Sequence, residues 1–167
     1  ALEALAAGAA AALAGARGDP GAAGEALAAL LAGARAASPG EARRGGPAVE
    51  AALLAALRQG VVGWAPRGLA AQALAEVLLK DRGSGGAYSC CGQLHDALGG
   101  KDARGLKAEA RAGLLQCLAE LARGMGPRAG SGLVDAVGTA SRHAKAGEAS
   151  VRKQALEMLV AYVAPTG

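Results

Sequence analysis

The sequence predicts an all-α fold: a right-handed α-solenoid of about four antiparallel helical hairpins. Three observations predict it. The segment from Lys107 to Val163 carries two apolar stripes of one spacing. Ala110, Leu114, Cys117, Leu118 and Leu121 form the first, and Val151, Ala155, Met158, Leu159 and Tyr162 repeat it 41 residues later. Such a stripe buries one face of a helix with a 3.6-residue period, and its return after about 40 residues marks a stack of helical hairpins. Similar spacing fills most of the remaining chain, and Gly or Pro punctuates the intervals. A short Val61, Val62, Trp64 run has no second strand to pair with, so no sheet is expected.

The elements follow in order. Leu2 to Ala16 is an Ala-rich helix with a weak apolar face of Leu2, Leu5 and Leu13, suited to the periphery. Arg17-Gly18-Asp19-Pro20-Gly21 ends it. Ala22 to Ala37 is the second helix, with Leu27, Leu30, Leu31 and Ala34 inward and Ser38-Pro39-Gly40 as its stop. Glu41 to Gly46 reads as a solvated basic loop around Arg43 and Arg44. Pro47 suits the first turn of the third helix, whose stripe is Val49, Leu53, Ala56 and Leu57. Gly60 to Pro66 is an inter-helix connection, and Trp64 is either a buried wedge or an exposed contact anchor.

The fourth helix, Arg67 to Lys80, turns Ala70, Ala73, Leu74, Val77 and Leu78 inward. The fifth, Ala87 to Leu98, presents Cys91, Leu94 and Leu98, with His95 beside them. The sixth runs from about Ala103 to Gly124. Its wet side holds Lys107, Glu109, Arg111, Gln116, Glu120 and Arg123, and Gly124-Met125-Gly126-Pro127 stops it. Gly132 to Lys145 is the seventh, with Leu133, Val134, Val137 and Ala144 inward and Ser131 as its cap. Glu148 to Val163 is the eighth. Nothing later in the chain covers Val151 to Tyr162, which is the first place to expect a contact.

Residues 1–167 therefore read as a single helical-repeat domain or a fragment of a longer solenoid. Residues 1–60 are Ala-rich and less regular, and 67–163 hold the best-defined repeats. One Trp, two Tyr and no Phe, with no Ile or Asn, describe a GC-biased codon usage on an ordinary fold. A core of Ala, Leu and Val buries little area per residue, so each helix gains modestly. The interior glycines Gly113 and Gly138 each cost about 1 kcal/mol relative to Ala.

The net charge of +4 is mild, and acids are interspersed with bases. Nucleic-acid binding calls for a basic face with stacking aromatics, so a helical-repeat RNA binder is the third-ranked alternative. Cys90, Cys91 and Cys117 lack C-x-x-C or Cys/His spacing and are expected as buried free thiols in a reducing, cytoplasmic setting. The longest uncharged apolar run, Ala4 to Ala16, has 13 residues and is too short to span a bilayer. His95 and His143 lack a nucleophile and carboxylate frame, and Asp96 and Asp102 flank a turn. No catalytic, cofactor-binding or metal residues are assigned, so no enzyme is expected. Against that stands a small helical-bundle enzyme or ligand carrier with a pocket near Cys91, His95 and Cys117.

The Glu148–Val163 segment resembles the HEAT-repeat pattern through Val151, Arg152, Ala155, Leu156 and Leu159, without the Asp that many such units place before the Val. Arg67, Leu69, Ala71, Leu74, Asp96, Gly124 and Met125 give a longer stretch that is similar to the amino-terminal region of the giant Sweetie/Laa-type HEAT-repeat accessories of the clathrin adaptor. The resemblance implies a non-enzymatic scaffold in endosome-to-Golgi vesicle traffic. Its partners would be other proteins, such as adaptor or complex subunits, with membrane association only peripheral and through them.

Overall fold

The computed structural model describes residues 2–14, 20–60, 64–81, 86–100, 103, 105–125 and 133–163. Among them the fold is all-helical, with eight helices: α1 (Leu2–Ala14), α2 (Pro20–Ala36), α3 (Pro39–Gln59), α4 (Trp64–Lys80), α5 (Gly86–Gly99), α6 (Ala108–Met125), α7 (Val134–His143) and α8 (Ala149–Val163). Helices two apart in sequence pack on one another: α2 on α4, α4 on α6, α6 on α8, α1 on α3 and α5 on α7. Within that arrangement α6 is central, meeting α3, α4, α5 and α8.

The expected stripes sit in the core. Leu27, Leu30, Leu53, Leu57, Leu74, Leu94, Leu114, Leu118 and Leu121 are fully enclosed. The two stripes that repeat after 41 residues differ in outcome. That of α6 is buried throughout, whereas in α8 Val151, Ala155 and Met158 are buried and Leu159 and Tyr162 only partly so. α6 also buries Ala112, Leu115, Ala119 and Ala122 on its other sides, because neighbours press on it from several directions. Its expected wet side is largely half-buried.

Three boundaries differ from expectation. Glu41 to Gly46 is not a loop but the start of α3. Ser38 is the N-cap, its Oγ accepting from the Glu41 N–H at 3.2 Å, while Glu41 Oε2 accepts from the Ser38 N–H at 3.4 Å. This capping box satisfies two backbone donors that would otherwise be orphaned. Pro39, not Pro47, occupies the first turn, and Pro47 lies inside the helix. The helix passes Gly45 and Gly46 because both are pressed against neighbours. A Cβ at Gly45 would lie 2.8 Å from Leu2 Cβ. At its far end Gly60 takes φ +93°, a left-handed-side conformation that favours glycine, and its N–H bonds Leu57 O.

The other two are at α4 and α6. Trp64, Ala65 and Pro66 belong to α4, not to a connection. The Trp64 side chain and Val61 to Gly63 lie outside the described residues, as do Ser131 and Asp102. α6 begins at Ala108, five residues after the expected start at Ala103, and Ala103 and Gly105 are in 3-10 conformation. In α7 the inward face is Ala136, Thr139 and Ala140, and Val134 is exposed. Small residues face inward there because α5 comes close: Gly99 lies against Thr139 and Arg142.

Polar side chains tie the helices together. Lys80 of α4 donates to three carbonyls at the end of α2, Ala34 at 2.6 Å, Arg35 at 2.5 Å and Ala37 at 2.8 Å. A cation there satisfies unpaired acceptors and meets the negative end of the helix dipole. Arg123 of α6 bridges Glu120 (2.7 Å) and Glu157 of α8 (3.1 Å). Glu148 pairs with Arg111 at 2.8 Å, while Arg152 donates to the carbonyls of Ala146 and Gly147.

Candidate functional site

The three thiols come first, because nucleophilic chemistry would have to start there. Cys90, Cys91 and Cys117 are free and buried. Burial pushes the Cys91 thiol up to about 12. Burial, reinforced by the Glu50 carboxylate, drives Cys90 far above the ordinary thiol range, and burial followed by the charge of Glu120 does the same to Cys117. A thiol held protonated is a poor nucleophile and a poor metal ligand. Among the described residues no group of three His, Cys, Asp or Glu side chains is placed to hold a metal ion.

The pocket envisaged around Cys91, His95 and Cys117 is only partly assembled. Cys117 lies within electrostatic reach of Cys91. His95 is committed to α7 instead, with Nδ1 2.7 Å from Thr139 Oγ1. Arg142 donates to the same hydroxyl at 3.1 Å, and His143 Nε2 lies 3.1 Å from Leu98 O. The two histidines, distant in sequence, thus meet at the α5/α7 contact and knit it together. The hydroxyl beside His95, that of Thr139, is fully buried.

Charged groups line several clefts among the described residues. One, of about 600 Å³, lies where the start of α3 meets the end of α4. Its charges already serve the fold, since Arg43 bonds Asp81 at 3.2 Å and Lys80 caps α2.

A second differs. α3 packs on α1, α4 and α6, and α5 packs on α4, α6 and α7. Between α3 and α5 lies a cleft of about 360 Å³ lined by Pro47, Glu50, Ala51, Leu54, Ala55 and Arg58 of α3 and Gln93 of α5. The Cys90 thiol bonds the Glu50 carboxyl, and burial raises the Glu50 carboxyl above the usual range against that bond. Glu50 Oε1 is buried without a hydrogen-bond partner among the described residues. Sequence reasoning missed Glu50, although a signal existed: Glu50, Leu53, Leu54 and Leu57 stand at i, i+3, i+4 and i+7, placing a carboxylate in line with an apolar stripe.

A third feature is an uncovered ridge on α8. Leu156, Val160 and Val163, at i, i+4 and i+7, are 53%, 61% and 74% exposed. Leu156, one of the residues that carry the HEAT-like resemblance, lies outside the expected inward stripe of Val151, Ala155, Met158, Leu159 and Tyr162. No helix among the described residues is long and apolar enough to cross a membrane. Comparison with protein-family models, curated proteins and solved structures gives no match.

Proposed function

We propose that this chain is a non-enzymatic helical-repeat scaffold, an open solenoid of HEAT/armadillo-like hairpins that binds other proteins. The observation that carries it is the uncovered α8 ridge at the end of the row in which α2, α4, α6 and α8 each pack on the next. Each earlier member of that row is covered by its successor. The last presents Leu156, Val160 and Val163 to solvent, as a surface built to be covered would. The buried, protonated thiols support the non-enzymatic side of the proposal and fit a reducing, cytoplasmic setting. Placement in clathrin-adaptor vesicle traffic belongs to the same proposal and rests on the residue resemblance alone.

Two experiments test it. In an open stack each hairpin depends only on its neighbours. A chain starting at Ser38, without α1 and α2, is therefore expected to keep a helical spectrum and a cooperative, weaker unfolding transition. Complete loss of helix would point to a closed bundle. For the binding role, a photo-crosslinking residue at Val160 is expected to give discrete protein adducts in cells, and one at exposed Asp135 is not. Indistinguishable adduct patterns would overturn the assignment of the ridge.

A further inference from the structure

We propose that the α8 ridge pairs with the same ridge of a second copy of this chain, the two α8 helices lying antiparallel about a two-fold axis at the level of Met158. The inference rests on the scaffold reading in one respect, that the ridge is a contact surface, and it names the occupant. Among the described residues, three of the five large apolar side chains left exposed are Leu156, Val160 and Val163, and a fourth, Val134, begins α7, which packs on α8. Exposed apolar surface is thus concentrated on this last hairpin, where covering it favours association.

The spacing of the ridge specifies the shape of its partner. Lys153, Leu156, Val160 and Val163 are all exposed and stand at i, i+3, i+7 and i+10. That is the alternating three-and-four spacing by which one helix interlocks with another, and it is distinct from the buried stripe of Val151, Ala155 and Met158. It also reads the same from either end. Leu156 and Val160 each lie two residues from Met158, and Lys153 and Val163 each lie five. Antiparallel pairing therefore sets Leu156 against the partner's Val160 and Lys153 against the partner's Val163, as a two-fold contact between identical surfaces requires.

Charge selects a second copy and the direction of pairing. A further hairpin laid along α8, as α8 lies along α6, would bury the Lys153 ammonium group at a cost. A parallel pair would bring the two Lys153 groups together. In the antiparallel pair each reaches the last turn of the partner's α8, a turn with no basic residue of its own. A cation there meets the negative end of the helix dipole. Glu157 flanks the ridge near the axis, but Arg123 already pairs with it at 3.1 Å, so the two copies do not meet through bare like charges. Half-buried Leu159 flanks the other side. From Lys153 to Val163 the seam is about 15 Å long, too short to bury the roughly 1,600 Å² of a standard interface. The dimer is therefore weak, with a Kd of roughly 10–500 µM.

Sedimentation of the whole chain from about 10 µM to about 1 mM is expected to show a reversible monomer–dimer equilibrium. Val160→Glu sets a carboxylate on the ridge and is expected to weaken the dimer at least tenfold with its helical spectrum unchanged. Direction is read by cysteine crosslinking, which is free of interference because Cys90, Cys91 and Cys117 are buried. Mixed in equal amounts and air-oxidised, the Lys153→Cys and Val163→Cys chains are expected to give mainly the mixed disulfide dimer. A dominant product joining two chains of the same variant would overturn the antiparallel arrangement, and so would overturn the proposal. A chain monomeric throughout, or a dimer untouched by Val160→Glu, would also overturn it. If that monomeric chain still gave adducts to other proteins from Val160 in cells, the second copy would be excluded and the scaffold reading would stand.

Discussion

The two glycines that sequence alone treats alike should respond with opposite signs to one substitution. Gly113 and Gly138 both sit inside helices, where alanine is favoured by about 1 kcal/mol. At Gly138 a Cβ meets nothing within 4 Å, so Gly138→Ala should gain nearly all of that. At Gly113 a Cβ would lie 2.9 Å from Leu57 Cδ2 and 3.5 Å from Arg67 Cδ. The first contact is up to about 1 Å inside the optimal carbon–carbon separation. Leu57 is fully enclosed and Arg67 is 6% exposed, with Nε bonded to Gln116 at 3.1 Å, so neither yields freely. Overpacking of this kind costs about 1–3 kcal/mol, and the propensity gain leaves a net loss of roughly 0–2 kcal/mol. For a chain of this length each kcal/mol moves Tm by about 2–4 °C. Thermal and urea unfolding followed by circular dichroism should place Gly138→Ala above the parent and Gly113→Ala at or below it. A Gly113→Ala variant as stabilised as Gly138→Ala would refute the packing argument.

Other outcomes follow from the same packing. Leu118→Asp buries an unpaired charge at a fully enclosed site and is expected to unfold the chain at 25 °C, whereas Leu159→Asp, at a half-buried site, should stay folded and lose about 1 kcal/mol; equal losses in denaturant titrations would count against the α8 assignment. Ser38→Ala removes the acceptor of the α3 capping box and should cost about 1 kcal/mol, read as a shifted urea midpoint; an unchanged midpoint would show that the cap contributes nothing. Glu50 has its carboxyl raised by burial, so the folded chain holds that proton more tightly than the unfolded chain. Its contribution to stability is therefore complete at low pH and falls as pH rises past the ordinary glutamate range of about 4.3. Glu50→Gln lacks this loss, so its advantage over the parent should grow between about pH 4 and pH 7 and disappear below; a constant difference across that series would contradict the burial of Glu50.

Periodicity made the stripes of α2, α3, α4 and α6 legible, because large side chains at helical spacing have one sensible place to go. The start of α3 was hidden by composition. The Glu41-Ala42-Arg43-Arg44-Gly45-Gly46 run looks like a loop, while Ser38, Pro39 and Glu41 already spell a capping box. The two glycines are helical because Leu2 and Val77 press on them, and no local rule carries that information. α7 misled for a related reason: bulk pointed to Val134, which is exposed, and to Val137, which is only partly buried, while Ala136, Thr139 and Ala140 are the residues enclosed where α5 comes close.

Glu50 lies at the limit of what a sequence conveys. Its place in line with Leu53, Leu54 and Leu57 was visible, and a carboxylate on such a stripe is ordinarily turned aside into water. What holds it is Cys90, 40 residues on, whose thiol on α5 bonds the carboxyl on α3 because both helices pack on α4 and α6. The unpaired oxygen is thus a product of helix placement rather than of any motif. Rigid neighbours on α3 and α5 hold Glu50 in that state, at the expense of stability near neutral pH.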